Sequence, residues 1–321
     1  MTTRHIAVFA ITHPWMQEMI RQVDPPDFEV KFLDMNNPAE VQSLLPQADF
    51  LVGGRLTPEQ LSLLKRCKLI QSQGVGYDSV DVDALAAAGI PFALTPEGTV
   101  IGVAEHTILL ILALYKQLVQ VRLSMQAGKF QSVDWRPGSH FFYKKTLAIV
   151  GFGRIGQRVA QLAKAFEPRL IYYDVFRPPE EVEQELGAEF VPFDEIFDQA
   201  DIITVHTLLT PETAGLFGAK EFARMKSDAL FINTSRGGTY DMDALYETLR
   251  SGHLGGAGLD VFNPEPPPPD HPILQLPNVI CTPHMATGTV EAHLLKAEAQ
   301  FENFRRVLRG ETPHNLVSIQ T

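Results

Sequence analysis

Thr146-Leu147-Ala148-Ile149-Val150-Gly151-Phe152-Gly153-Arg154-Ile155-Gly156 is the stretch that decides how this chain folds. The apolar run Leu147–Val150 reads as a strand buried on both faces, and a helical pattern over about Ile155–Phe166 follows it. Between them stands a G-x-G-x-x-G. Gly151, Gly153 and Gly156 let the backbone turn tightly and approach a pyrophosphate, which then rests on the free N–H groups at the helix start. The hexapeptide by itself would serve equally well as a plain strand–helix turn, so the context decides. The next apolar run, Leu170–Tyr173, ends in Asp174, where an acid accepts ribose hydroxyls and repels a 2′-phosphate. The expectation is a dinucleotide site for NAD, with NADP fitting less well. Arg154 is within reach of the pyrophosphate, beside Ile155; Arg177, close to Asp174, either softens the choice against NADP or, the plainer reading, is a solvated loop residue.

Working outward, short apolar runs alternate with amphipathic stretches, the pattern of α/β proteins with parallel sheets. Strands are expected near Ile6–Phe9, Glu29–Leu33, Phe50–Val52, Leu69–Gln71 and Pro91–Ala93. Helices fall between them, for example Pro58–Lys65 and Val82–Ala88, the latter closed by Gly89. One long helical pattern covers Val100–Ala127 and ends at Gly128. After Leu147–Val150 and Leu170–Tyr173, further strands are expected at Ile202–Val205, Ala229–Asn233, Gly258–Val261 and Val279–Cys281. Helices are expected near Lys220–Met225 and Met242–Ser251, and a last one at Val290–Leu308. The long helical stretches flanking the second series suggest a doubly wound cofactor domain, residues 100–286, inserted in a first domain formed by residues 1–99 and 287–321. The run Pro266–Pro269 can be neither helix nor central strand and reads as a stiff exposed turn.

A chain of 321 residues suits two domains. Its formal net charge of −11 repels phosphate backbones and anionic lipid, which disfavours nucleic acid and membrane partners. An anionic substrate therefore needs a local cationic pocket. The two cysteines, Cys67 and Cys281, cannot form a disulfide framework and read as buried thiols. The stretch Met1–Ala10 is too short in its apolar part for a signal segment and reads as a first strand, so the expected compartment is the cytoplasm. The histidines show no metal-ligand spacing, and no metal is expected.

Three polar residues follow successive apolar strands: Arg236 in Asn233-Thr234-Ser235-Arg236-Gly237-Gly238, Glu265 after Leu259-Asp260-Val261-Phe262, and His284 in Thr282-Pro283-His284. In a parallel sheet all three would share the carboxyl edge with Gly151, where open α/β sheets bind ligands. Reducing a 2-oxo acid needs a bidentate cation for the carboxylate, which is arginine's geometry. It also needs a proton donor for the nascent alkoxide, a histidine's task, and a carboxylate beside that imidazole stabilises its charged form. His206, after Ile202–Val205, has similar placement, so position alone leaves His206 and His284 both open.

At these residues the chain resembles the D-2-hydroxyacid dehydrogenase family. The matching segments are Gly74-Val75-Gly76-Tyr77-Asp78, Val103-Ala104-Glu105-His106-Thr107, Thr146 to Gly156, Leu209-Thr210-Pro211-Glu212-Thr213, Ile232 to Gly237, Leu259 to Phe262 and Thr282-Pro283-His284. The resemblance implies two Rossmann-like domains, the NAD-binding one set inside a flavodoxin-like substrate domain. It implies Arg236 as binder of the substrate carboxylate and carbonyl, His284 as general acid/base and Glu265 as its partner. His206 then only borders the cofactor, Asp260 meets the nicotinamide carboxamide, Thr234 and Ser235 line the cofactor, and backbone N–H groups at Val75 and Gly76 meet the substrate carboxylate. It also implies a homodimer joined through the cofactor domains and an active site in an interdomain cleft. Departures from the family pattern fall at Leu208, Ser235, 95–100 and 141–145, none of them at the three catalytic positions. Trp135, Arg136 and Phe141 are candidates for a pocket or dimer-arm element.

The expected activity is thus NAD-dependent interconversion of a small 2-oxo acid, of glyoxylate, hydroxypyruvate or pyruvate type, and its D-2-hydroxy acid. A dehydrogenase of a small anion such as phosphite is the enzymatic alternative; formate relatives carry glutamine where Glu265 stands. An NAD-sensing corepressor-like binding protein is the non-enzymatic one.

Overall fold

The structure, a computed structural model, describes residues 4–23, 25–53 and 55–318. The chain divides into two compact units, residues 1–99 with 288–321, and residues 100–287.

The first unit holds a parallel sheet of β1 (His5–Phe9), β2 (Phe28–Phe32), β3 (Phe50–Val52), β4 (Leu69–Gln71) and β5 (Phe92–Ala93), in the order β2-β1-β3-β4-β5. That is the flavodoxin-like order. The expected first strand is there, while Met1–Thr3 of the stretch it was read from lie outside the described residues. Side chains alternate between the two faces, as a two-residue period requires. Ala7, Phe9, Phe50 and Val52 pack on one face with Phe301 and Phe304 of the last helix, Val290–Leu308. Val8, Leu51 and Ile70 pack on the other with Leu33, Leu45 and Leu85. Gly89 closes the helix Val82–Ala87 with φ of 69°, as its position in the sequence suggests.

The second unit holds β6 (Thr146–Val150), β7 (Arg169–Tyr173), β8 (Ala188–Phe190), β9 (Ile202–Val205), β10 (Leu230–Asn233), β11 (Gly256–Leu259) and β12 (Val279–Cys281). All pair in parallel in the order β12-β11-β10-β9-β6-β7-β8. Reading outward from β6 in both directions, this is the doubly wound dinucleotide-binding order with one further strand. The strands are continuous apolar runs because helices cover both faces: Ala148, Val150, Ile203 and Phe231 face one core, Leu147, Ile149, Ile202 and Ile232 the other.

Three expectations need correction. The sheet has a seventh strand, β8, whose sequence Ala-Glu-Phe at a half-exposed edge carries no apolar run. The strand expected at Gly258–Val261 runs two residues earlier, because Asp260 leaves the sheet to organise a loop. The single helix expected over Val100–Ala127 is two, Thr99–Tyr115 and Leu118–Gln126, bent by 60°. The break is at Gln117, in left-handed conformation with φ of 50°, whose amide donates to the Trp135 carbonyl at 2.9 Å. Among the described residues no single helix is long and apolar enough to cross a membrane; that bent pair passes by composition, but Ala104, Leu110 and Ile111 are buried in the sheet's core. Cys67 and Cys281 are half-buried, less enclosed than expected.

Candidate active site

The order of the second sheet reverses between β6 and β9, and the polar residues singled out above gather at that carboxyl edge. Gly151 leaves β6 with φ of +92°, and a Cβ there would lie 2.6 Å from the His206 carbonyl carbon. A Cβ on Gly156 would lie 2.2 Å from the Gly151 oxygen, whereas Gly153 faces open space. The helix Arg154–Ala163 starts on Gly153 without a side-chain cap, so its first N–H groups stay available to an anion. Arg154 is exposed at that start and Ile155 packs inward against the core. Asp174, at the end of β7, is tied to the glycine loop: its Oδ2 accepts from Phe152 N at 2.6 Å and its Oδ1 from Phe176 N at 2.9 Å.

Two buried polar atoms beside this turn, His206 Nδ1 and Thr207 Oγ1, have no protein partner, which a buried group seldom tolerates. Together with the uncapped helix and the open space at Gly153, they fit a bound dinucleotide. His206 Nε2 is 2.9 Å from Thr204 Oγ1, and burial pushes its imidazole down to about 3. His206 thus sits beside the glycine turn with its Nε2 on Thr204, whereas His284 stands half-exposed with its Nδ1 on a carboxylate.

His284 sits in a loop built for it. Its φ is +50°, a conformation that non-glycine residues hold only when their surroundings impose it. The imposing group is Asp260, fully buried. Its backbone carbonyl accepts from His284 N at 2.8 Å; Oδ1 accepts from Thr282 Oγ1 at 2.6 Å and Met285 N at 2.9 Å, and Oδ2 from Ala286 N at 2.9 Å. His106 Nε2 lies 2.9 Å from the same Thr282 hydroxyl. Burial lowers the His106 pKa, and the Asp260 carboxylate partly opposes this. The outcome is a half-exposed imidazole whose Nδ1 is 2.9 Å from Glu265 Oε2, while Glu265 Oε1 accepts from Phe262 N at 2.9 Å. The carboxylate therefore fixes the ring's orientation and leaves Nε2 outward. Beside the pair is a cavity of about 470 Å³ lined by Phe262, Pro266, Pro267, Leu274 and Cys281 among others.

Arg236 follows β10, half-buried, its Nη1 donating to the Ser235 carbonyl at 2.7 Å. Asn233 shapes that turn, accepting from both Ser235 N (2.9 Å) and Ser235 Oγ (2.8 Å) and donating to Thr239 Oγ1 at 2.9 Å. Thr234 Oγ1 pairs with Thr107 Oγ1 at 3.1 Å. Val75 and Gly76 follow β4 at the carboxyl edge of the other unit's sheet. Trp135 is half-buried and Phe141 largely exposed, with the Lys116 ammonium 4.9 Å from its ring centroid. Asn233, His106 and Thr282 were given no role from the sequence, though all three lie in quoted motifs; the His106–Thr282 contact spans 176 residues and shows only in three dimensions. Among the described residues no group of three His, Cys, Asp or Glu side chains is placed to hold a metal ion.

Comparison with known proteins gives the family. Residues 108–286 match the model of the D-isomer specific 2-hydroxyacid dehydrogenase, NAD binding domain. The chain belongs to the D-isomer specific 2-hydroxyacid dehydrogenase family. It is 40% identical over 256 residues to a glyoxylate reductase of Korarchaeum cryptofilum, covering 79% of this chain and 76% of the relative. It is 38% identical over 284 residues to a D-3-phosphoglycerate dehydrogenase of Methanocaldococcus jannaschii, 87% of this chain but 53% of that longer protein. The D-lactate dehydrogenase of Lactobacillus jensenii, solved with NAD+, superposes with a TM-score of 0.84 at 28% identity, covering 98% of this chain and all of that one. The chain is accordingly an oxidoreductase of this dehydrogenase family that uses a nicotinamide cofactor.

Proposed function

We propose that the chain interconverts a small 2-oxo acid and its D-2-hydroxy acid with NAD(H), the substrate being of glyoxylate, hydroxypyruvate or pyruvate type. The observation that carries this reading is the His284–Glu265 contact of 2.9 Å at the sheet edge that also holds Arg236 and the glycine loop. The glyoxylate reductase relative supports the small acid, and the D configuration rests on the family.

The nicotinamide, when bound, supplies or accepts the hydride. The glycine loop and the free N–H groups at Arg154–Gly156 would hold the pyrophosphate, Asp174 the ribose, and His206, Thr234, Ser235 and Asp260 the surroundings of the cofactor. The Arg236 guanidinium binds the substrate carboxylate as a planar fork and polarises the adjacent carbonyl. His284 holds a proton on Nε2 for the carbonyl oxygen as it becomes an alkoxide, and takes it back in the oxidative direction. Glu265, on Nδ1, fixes the ring's orientation. Asp174 faces any 2′-phosphate with a negative charge, which favours NAD over NADP. Residues 100–287 would be the cofactor domain and the other unit the substrate domain. A homodimer formed through the cofactor domains is supported by apolar side chains left exposed on Leu118–Gln126 and the segment after it.

The role of His284 has a direct test. His284→Ala is expected to lower kcat by about a thousandfold, the scale of general acid–base catalysis, with NADH binding within about threefold of wild type. A variant that keeps near-normal kcat would remove His284 from this role.

A further inference from the structure

Beyond Asp174 the chain runs Val175-Phe176-Arg177-Pro178-Pro179 into the helix Glu180–Leu186. Arg177 stands three residues past the acid, where a guanidinium is the natural grip for a 2′-phosphate. It is already engaged. Arg177 Nη2 donates to Glu183 Oε1 at 2.9 Å and Oε2 at 3.0 Å, and Nε donates to Oε1 at 3.2 Å, a fork closed on one carboxylate. The same guanidinium lies 4.8 Å from the centroid of the Phe190 ring. Glu183 Oε1 also accepts from the Tyr172 hydroxyl, and Tyr172 stacks on Phe152 of the glycine loop with ring centroids 4.0 Å apart. Glu183 is 13% exposed against 57% for Arg177, so the carboxylate is the fixed member and the arginine comes to it. None of the proton or carboxylate chemistry above uses Glu183, and its place is between the glycine loop and the loop after β7.

We propose that Glu183 is a cofactor-selectivity residue: by closing on Arg177 it withholds that guanidinium from a 2′-phosphate and so reinforces the choice of NAD made at Asp174. The inference rests on the reading of Asp174 as the ribose-binding acid. Asp174 acts by accepting from the ribose hydroxyls and by repelling a 2′-phosphate. Glu183 acts by occupying the cation that could offset that repulsion, with Phe190 and Tyr172 keeping the pair in place. Selectivity then has two separable parts, and removing the second should loosen it without touching the reacting atoms.

The test is calorimetric binding of 5′-ADP, 2′,5′-ADP, NADH and NADPH to the whole protein, wild type and variants. The wild type is expected to bind NADH and to favour 5′-ADP over 2′,5′-ADP. Glu183→Gln keeps the side-chain shape and is expected to raise 2′,5′-ADP affinity about tenfold, one charge-assisted phosphate contact, with 5′-ADP affinity little changed. Arg177→Ala in that background should cancel the gain. Arg177→Ala alone should leave 2′,5′-ADP affinity within about twofold of wild type, and this arm needs no change at Glu183. Unaltered 2′,5′-ADP affinity in a folded Glu183→Gln, a gain that survives loss of Arg177, or weaker 2′,5′-ADP binding in the single Arg177→Ala would each overturn the inference. A wild type that binds neither NADH nor 5′-ADP would instead overturn the cofactor-site reading beneath it.

Discussion

Gly156 has no room for a methyl group, because the added carbon would meet the Gly151 carbonyl oxygen at 2.2 Å. Gly156→Ala must therefore push the helix Arg154–Ala163 off β6, and NADH affinity measured by titration is expected to fall at least about a hundredfold. Retained affinity would mean that the loop does not hold the cofactor. Glu265→Gln keeps an acceptor for Phe262 N but removes the charge beside His284; kcat is expected to fall about tenfold to a hundredfold in steady-state assays, with Arg236 undisturbed. At this scale the order of residues after successive strands was enough to place Gly151, Asp174, Arg236 and His284 at one sheet edge, where the structure has them. It was silent on Asp260 as the organiser of the His284 loop, since hydrogen bonds from Thr282, Met285 and Ala286 to one carboxylate leave no mark in spacing.

Among the elements, the last helix carries a lysine on its buried face. Lys296 is buried like Ala297, Gln300 and Phe301 of the same helix, 7% exposed, and burial pushes its ammonium from 10.5 down to about 8. The folded value is below the unfolded one, so the unfolded chain binds more protons between about pH 8 and 10.5 and stability rises with pH across that window. Below pH 8 the cost of the buried charge is present in full. Lys296→Met is expected to stabilise the protein by about 1–3 kcal/mol at pH 7 and by less above pH 10, read from urea unfolding at both values. Destabilisation at pH 7 would show that the ammonium is compensated. Elements with a strong period, such as β6, β9 and Val290–Leu308, were legible from their residues alone. The bend at Gln117 was not, because no glycine or proline marks it and its cause is a contact with Trp135 eighteen residues on. Nor was β8, whose short edge position leaves Glu189 exposed.

For the whole molecule, large apolar side chains stand exposed at Leu118, Val119, Leu123 and Met125, with Phe130 and Val133 beyond them, and exposed apolar groups that collect in one patch mark an interaction surface. Sedimentation equilibrium is expected to give twice the chain mass of 35.7 kDa, and Leu118→Glu with Leu123→Glu to halve it. A wild-type monomer at micromolar concentration would refute the dimer. The parallel sheets were foreshadowed by alternating strand and helix patterns, and the return of the C-terminal helix to the first unit by the long helical stretches flanking the inserted series; the strand orders themselves carry no mark in those patterns. The identity of the acid has no such signature in any pattern. The account is therefore tested most directly by following NADH oxidation at 340 nm with glyoxylate, hydroxypyruvate, pyruvate and phenylpyruvate in turn. It predicts turnover of at least one of the three smaller acids, with a D-configured product from hydroxypyruvate or pyruvate. Absence of turnover with all four, by a protein shown to bind NADH, would contradict it.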